Sequence, residues 1–368
     1  MLLESLTLED FRNYEASEVT FSDGLNLVIG RNGQGKTNLL EAIYFVSRLS
    51  SWRPGPNSTL IRHDSDRAII RSVFKATSAD RKTRVDGEIS PSSLRVLVNG
   101  VPLYQADRTS LPATVLFSPE DLVLIKGAPE GRRRYLDHLA GSLRPMASGQ
   151  RLEFERVLKQ RNGLLKAAQH NPRALKSLDA WDEQFVKAGA ALIADRLSAL
   201  EAISQLAPSH HKEVSGESAE LAVRYAASWS AAPGPETIVE DLREAVEGSR
   251  PADRDRGMTQ VGPQRDDLEV SLGGQDSRVY ASQGQQRTIS LALRLAERGA
   301  IKEARGEDPV LLLDDVFSEL DDERRERMTE LVSSSGQSIA TATSATGIPL
   351  RANKVLSVGA GKVIVERM

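Results

Sequence analysis

Apolar and polar positions alternate with a period of two from Leu2 to Leu8, from Arg67 to Ala76 and from Leu94 to Val98. That alternation predicts half-buried strands. Asn99-Gly100 before Val101 predicts a two-residue hairpin turn. A short apolar run, Leu25 to Ile29, predicts a further strand, and Leu39, Leu40, Ile43 and Val46 recur at helical spacing, which predicts a helix over Lys36 to Arg48. From about Pro119 to Pro208 turn residues thin out and helix formers dominate. Here Leu178, Trp181, Phe185, Ala188 and Leu192 form a stripe after a break at Asn171-Pro172. The stripe is compatible with a coiled coil, but it is too short for sustained heptads and favours a packed helix pair, with Trp181 in the core. Residues 227–256 look like a connector with one helical piece near Ile238 to Val246. After Thr259 the alternation of helices and strands resumes. It predicts a long helix from about Gln283 to Ala304, a buried strand at Val310 to Leu313, a helix from Asp322 to Val332, and short strands to the end, among them Ser338 to Thr343.

A chain of 368 residues exceeds what one hydrophobic core usually covers. The pattern accordingly predicts an α/β lobe made of residues 1–118 and 259–368, split by a helical insertion lobe at 119–258. With 40% apolar and 27% charged residues the chain reads as a folded soluble protein. No window predicts a membrane-spanning helix, and Glu4, Glu9 and Asp10 near the start do not fit a signal peptide. The chain has no cysteine, which removes disulfides, thiolate metal sites and cysteine nucleophiles and fits a cytoplasmic location. His63, His138, His170, His210 and His211 show no metal-ligand spacing. A net charge of −3 means that any nucleic-acid surface must be a local patch.

Gly30-Arg31-Asn32-Gly33-Gln34-Gly35-Lys36-Thr37 fits G-x4-G-K-[ST] between a predicted strand and a predicted helix. Glycines let successive N–H groups face one anion, and the helix start adds its positive end. Lys36 supplies a charge for the β- and γ-phosphates of a nucleotide, and Thr37 a hydroxyl for Mg²⁺. Val310 to Leu313 runs into Asp314-Asp315 at the end of a strand buried on both faces. Asp314 can hold Mg²⁺, and Asp315 can orient and deprotonate an attacking water. Lys36 and Asp314 lie 278 residues apart, which requires a large insertion between the two halves of the site. Ser282-Gln283-Gly284-Gln285-Gln286-Arg287 opens the long helix and supplies a second anion-binding helix start.

This turn resembles the signature sequence of ABC-type ATPases, in which such turns bind the γ-phosphate held by a partner subunit, and Ser318-Glu319-Leu320-Asp321 resembles the D-loop of that class. Further motifs narrow the likeness. They are Phe11-Arg12-Asn13-Tyr14, Phe117-Ser118-Pro119-Glu120-Asp121-Leu122, Arg132-Arg133-Arg134-Tyr135-Leu136-Asp137, Val261 to Asp267, Tyr280 to Arg287 and Leu313 to Asp321. In this order, over nearly the whole chain, they resemble the RecF family of SMC-like, ABC-type ATPases. The resemblance implies a P-loop NTPase head of the ABC type with an inserted helical lobe and no long coiled coil. It implies ATP and Mg²⁺ as ligands, binding of single-stranded and duplex DNA near gap junctions, and an ATP-dependent homodimer. It implies slow, DNA-stimulated ATP hydrolysis used as a switch in replication and repair, with RecO and RecR as partners in placing RecA at single-strand gaps. The implied nucleotide contacts are Gly30 to Thr37 with Ser282, Gly284 and Gln285 of a second copy. The implied metal ligands are Thr37 and Asp314, and Asp315, Lys36 and Ser282 carry the chemistry. The alternative is an ATPase subunit of another SMC-like or transport assembly. The chain departs from the ABC pattern at Asp315, where glutamate is usual, and at the strand Ser338 to Thr343, where Thr341 or Thr343 occupies the neighbourhood of the switch histidine. The Q-loop glutamine has no clear counterpart, and the Phe117 to Asp121 segment falls about where it would lie. Candidate DNA contacts are Arg132, Arg133 and Arg134, and the set Arg71, Lys75, Arg81, Lys82 and Arg84.

Overall fold

The computed structural model describes residues 1–77, 81–103, 110–229, 234, 236–319, 322–333, 336–344 and 352–366. A six-stranded sheet, parallel but for one edge strand, lies at the centre. Its order is Lys362–Glu366, Lys354–Gly359, Leu25–Ile29, Ser338–Ala342, Val310–Leu313 and Thr114–Phe117, with only the first strand antiparallel to its neighbour. Its central strands are apolar on both faces because both are covered. On one face Val28, Val310, Leu312 and Ile339 pack with Leu39, Leu40, Ile43 and Phe45 of the helix Lys36–Arg48. That helix is held from its other side by an antiparallel sheet of Tyr14–Thr20, Leu2–Phe11, Ala68–Lys75, Lys82–Ile89, Leu94–Val98 and Val101–Pro102. On the opposite face Leu25, Leu27, Leu311 and Leu313 meet Leu291 and Leu295 of the helix Gln283–Arg305, and Met328 and Val332 of the helix Asp322–Ser333.

The second lobe holds the helices Pro129–Leu143, Met146–Ala168, Leu178–Ser204 and Ile238–Arg256, around Phe154, Phe185, Leu192 and Leu242. The same core takes in Ile289, Leu293 and Ala296, so the helix Gln283–Arg305 is shared between the lobes. The stripe beginning at Leu178 is one face of a helix packed beside Met146–Ala168, as a helix pair rather than a coiled coil; Phe185 and Leu192 are buried, while Trp181 and Ala188 are half-buried. Arg161 is fully buried among these helices. It donates to Asp182 (2.7 Å) and Thr259 (2.7 Å), pairs with Asp253 (2.8 Å), and lies over the Phe185 ring.

Two expectations change. The boundary at 259 assigns residues 267–272 to the ATPase lobe, but they form the strand Asp267–Leu272, which pairs antiparallel with Leu221–Ala226 in a three-stranded sheet of the second lobe. Alternation along a strand does not mark its partner. The connector helix is also longer than expected, Ile238–Arg256, and passes through Pro251. The strands Tyr14–Thr20, Lys82–Ile89 and Thr114–Phe117 were not foreseen. In the second of these only Val85, Gly87 and Ile89 are buried, too sparse an apolar pattern to stand out.

Candidate nucleotide-binding site

The loop from Gly30 to Gly35 leaves the carboxyl end of a central parallel strand and enters the helix Lys36–Arg48. Its curl needs left-handed backbone at Gly33 (φ 79°) and Gly35 (φ 117°). Space is as restrictive as dihedral angle. A Cβ at Gly35 would sit 2.7 Å from the Asn13 amide, and one at Gly30 would collide with the Val358 carbonyl. The loop is braced from outside. Asn13 Nδ2 donates to the Gln34 carbonyl (2.9 Å) and the Tyr14 hydroxyl to the Gly35 carbonyl (2.9 Å). The N–H of Ala360 reaches Gln34 Oε1 (2.7 Å), so the Gln34 side chain serves to fix the loop. Lys36 folds back over the loop, donating to the carbonyls of Gly30 (2.7 Å) and Arg31 (3.3 Å), with Asn32 Oδ1 at 3.5 Å. The first helical turn carries no acidic residue of its own to offset its positive end.

Behind the loop lies Glu41, part of the stretch Asn38 to Ala42 that continues the family motif but to which the sequence alone assigns no role; it is fully buried. Arg12 grips it with two hydrogen bonds (2.9 and 2.7 Å), Ser51 donates to it (2.5 Å), and Arg53 pairs with it as well. Burial opposes its charge, yet the hydrogen bonds from Arg12, Arg53 and Ser51 hold its carboxyl below the usual range. The Phe11 to Tyr14 motif thus acts as a brace for the loop and its helix.

The strand Val310–Leu313 ends two positions away in the sheet and brings Asp314 against Thr37, whose hydroxyl donates to Asp314 Oδ1 (3.0 Å). Thr341, on the strand between them, donates to the same oxygen (2.8 Å) and accepts the N–H of Asp315 (2.9 Å). It therefore fills the neighbourhood assigned to the switch position. Thr343, one alternation further, is exposed. Asp315 takes left-handed backbone (φ 52°), which directs the chain out of the strand just where a carboxylate is needed. Burial raises the Asp314 pKa; the hydroxyls of Thr341 and Thr37 oppose that, and the charges of Glu120 and Asp315 add to it. Glu120 is the residue that the sequence left unassigned. It is exposed in the short turn Pro119–Asp121, directly after the strand Thr114–Phe117 whose Phe117 carbonyl accepts the Asp314 N–H (2.8 Å). The donor set suits Mg²⁺: one buried carboxylate short of positive charge, a hydroxyl 3.0 Å away, and two further carboxylates close by. Among the described residues no three His, Cys, Asp or Glu side chains close on one point, so a cation here would draw its other ligands from water and phosphate oxygens.

Ser282 caps the helix Gln283–Arg305. Its hydroxyl accepts the Gln285 N–H (3.3 Å), and Gln285 Oε1 accepts the Ser282 N–H (3.0 Å). Ser282, Gln283 and Gly284 are exposed, as are Val279 and Tyr280 before them. Among the described residues no hydrogen bond joins this turn to the phosphate loop; the structure does not bring the two together within one chain. Of the D-loop residues, Ser318 and Glu319 end the 3-10 turn Val316–Glu319, and Leu320 and Asp321 lie outside the described residues.

The three consecutive arginines have three fates. Arg132 is buried and gripped by Asp267 (2.7 and 2.7 Å), Arg133 donates to the Asp266 carbonyl (2.7 Å), and Arg134 is exposed. Helical periodicity points neighbours in different directions, so this run is not one DNA-facing patch. In the antiparallel sheet, Arg71 pairs with Glu9, Lys82 with Glu4 (2.6 Å) and Arg84 with Asp86 (2.8 Å), so three of the five candidate contacts there already have a carboxylate partner.

The family model for the RecF/RecN/SMC N-terminal domain matches residues 2–360. The DNA replication and repair protein RecF of Streptomyces avermitilis is 40% identical to this chain over 361 residues, covering 95% of each. The chain belongs to the RecF family. The RecF of Frankia alni is likewise 40% identical, over 362 residues and 95% of each chain. A solved structure of the recombination mediator protein RecF with ATP, described as part of the RecFOR pathway, superposes with a TM-score of 0.91 at 32% identity, over 99% of this chain and 97% of that one. An Smc head bound to the winged-helix domain of ScpA superposes at 0.58 with 18% identity, a likeness of fold alone. RecF-type architecture is thus an ABC-type ATPase head carrying a helical lobe, as expected. Among the described residues no helix is long and apolar enough to cross a membrane.

Proposed function

We propose that this chain is an ATP-controlled DNA clamp of replication and repair, active as a pair of copies closed over two nucleotides. The reading rests on one observation. The phosphate loop and the Thr37–Asp314 contact form a braced cradle, while the Ser282 turn stands capped, exposed and apart from it. A second helix start of this kind has a use if it meets the γ-phosphate bound by another copy.

In this reading the N–H groups from Gly33 to Thr37 take the phosphate oxygens, and Lys36 leaves its loop carbonyls for the β- and γ-phosphates. Thr37 and Asp314 are the residues that would hold Mg²⁺, which when bound neutralises charge on those phosphates. Asp315, held at its N–H by Thr341, orients the water and accepts its proton, and Glu120 is a second carboxylate whose charge reaches Asp314. Aspartate is one methylene shorter than the glutamate usual there, which supports slow turnover. Gly284 and Gln285 of the second copy flank its Ser282 against the γ-phosphate. The two lobes, with Asp267–Leu272 counted in the helical one, are the units that this closure would move together.

We extend the proposal to the family's setting: binding of duplex and single-stranded DNA near gaps in the cytoplasm, DNA-stimulated ATP hydrolysis that releases the clamp, and cooperation with RecO and RecR in loading RecA. The test is light scattering without nucleotide, with ATP, and with ATP plus duplex DNA, paired with ATPase rates on no DNA, single strands and duplex. A mass that doubles with ATP and a rate that rises with DNA support the proposal. A monomer at saturating ATP overturns it.

A further inference from the structure

At the far end of the phosphate-loop helix, where the ATPase lobe meets the helical lobe, lies a cavity of about 370 Å³. A volume in this range takes a small molecule rather than a few waters. Its lining is heavily basic: Arg48, Arg134, Arg151 and Arg305 face it, with His138, against a single acidic residue, Asp137. The acid offers little compensation, because both its oxygens are taken by Arg196 (2.6 and 3.1 Å).

The four guanidinium groups are not equally matched. Arg48 pairs with Glu297 (3.0 Å) and Arg151 with Glu155. Among the described residues Arg305 is bound only to main-chain carbonyls, those of Ser142 (2.8 Å) and Leu111 (3.0 Å). Arg134 has neither a carboxylate nor a carbonyl partner among the described residues. Dipoles satisfy a guanidinium's hydrogen bonds without cancelling its charge, and a partly buried cation without a counter-ion is costly. The field this creates is visible at His138. Burial, then Arg48, Arg151, Arg294 and Arg134, push its pKa down to about 3, so the imidazole stays neutral. Burial and the charge of Arg48 likewise lower the Arg305 pKa to about 10.

We propose that this cavity is a second anion site, separate from the phosphate loop, and that it takes the phosphate of a small phosphate ester or of a DNA strand end. Planar, multi-donor guanidinium groups suit a phosphate's oxygens. The lining draws on both lobes. Arg48 and Arg305 belong to helices of the ATPase lobe, and Arg134, His138 and Arg151 to the helical lobe. An occupant therefore ties the two lobes at their seam, beside the existing contact in which Arg48 donates to the His138 carbonyl (3.1 Å).

The experiment is calorimetric titration of the full-length Lys36→Met protein, in which the phosphate loop is disabled. The probes are inorganic phosphate, ribose 5-phosphate, and one single-stranded oligonucleotide with either a 5′-phosphate or a 5′-hydroxyl end. We expect saturable binding that Arg134→Gln weakens about tenfold, the effect of one charge-assisted contact. Binding of the small esters identifies a free metabolite as the source; binding of only the 5′-phosphorylated strand identifies a strand end. Arg305→Gln should weaken binding further, but it also removes two main-chain contacts, so the exposed Arg134 carries the test. No saturable binding by any probe, or equal binding by the Arg134→Gln protein, overturns the proposal.

Discussion

The phosphate loop and the Ser282 turn are both helix starts that can face an anion, yet they are built in opposite ways. The loop has no side-chain cap of its own. Its curvature is imposed from outside by Asn13, Tyr14 and the turn at Ala360, and within it the Gln34 N–H turns back to the Arg31 carbonyl (3.4 Å). The Ser282 turn caps itself through Ser282 and Gln285 and takes no brace from the phosphate loop. The first is a cradle assembled from distant parts of one chain. The second is locally complete and presents the N–H groups of Gln283 and Gly284 outward. A local motif survives exposure, and exposure is what a contact with a second copy requires.

Physical links still join the two regions. Arg294 and Ser290, on the helix that Ser282 opens, bind Asp121 at 2.7 and 3.0 Å. Asp121 follows Glu120, and its segment receives the Asp314 N–H at Phe117. A displacement of the signature helix would thus pass through packed, hydrogen-bonded groups to the carboxylates of the metal side.

The comparison can be broken most severely at the chemistry. Asp315→Asn keeps the side chain's shape but removes its charge and cannot take a proton, so turnover should fall about 10²–10⁴-fold while nucleotide affinity holds. Single-turnover hydrolysis beside a binding titration reads both. Unchanged hydrolysis would move the base elsewhere, with Glu120 as the first place to look. Next, Lys36→Met deletes the mobile charge of the cradle, and ATP affinity should drop about 100-fold, measured with a fluorescent analogue. Wild-type affinity would contradict the assignment of the loop. Glu41→Ala tests the bracing. It strands Arg12 and Arg53, which are partly solvated, so a loss of about 2–3 kcal/mol in denaturant unfolding is expected. Because the Glu41 pKa is depressed, its contribution is present above the ordinary carboxylate pKa and is lost as pH falls through the folded-state value. The wild-type and mutant stability curves should therefore converge in acid. The smallest effect belongs to Asp314→Asn. Since the Asp314 pKa is raised, its ionised form costs stability, increasingly as pH rises through the raised value. Without nucleotide the variant should melt slightly higher at neutral pH, and it should lose Mg²⁺-dependent nucleotide binding. A lower melting temperature would show that the hydroxyls of Thr37 and Thr341 more than compensate the buried charge.

The cradle was legible in the sequence because its chemistry is written in adjacent residues. Gly30 to Thr37 and Val310 to Asp315 each carry strand, turn and functional group in one short stretch. What brings them together was not. The sequence places Thr341 or Thr343 near the switch position without choosing between them, and Glu41 and Glu120 act through partners 29 and nearly 200 residues away, which no local pattern marks. The same limit put residues 267–272 in the wrong lobe, because their partner strand Leu221–Ala226 lies across the boundary. It also made Arg132, Arg133 and Arg134 look like one patch, when helix geometry sends one into an ion pair, one onto a carbonyl and one into the seam cavity.

The central claim is that each chain carries two complementary halves of different nucleotide sites. Mixing two inactive proteins tests it most directly. Lys36→Met lacks a working phosphate loop but keeps its Ser282 turn. Ser282→Arg keeps its loop but presents a turn too bulky for the γ-phosphate. In a mixed pair, the loop of the second protein meets the turn of the first, which makes one intact site. The account predicts that each protein alone hydrolyses ATP poorly and that an equimolar mixture regains a substantial part of the wild-type rate. A mixture no more active than the average of its two components would contradict it, and Ser282 would then be only a helix cap.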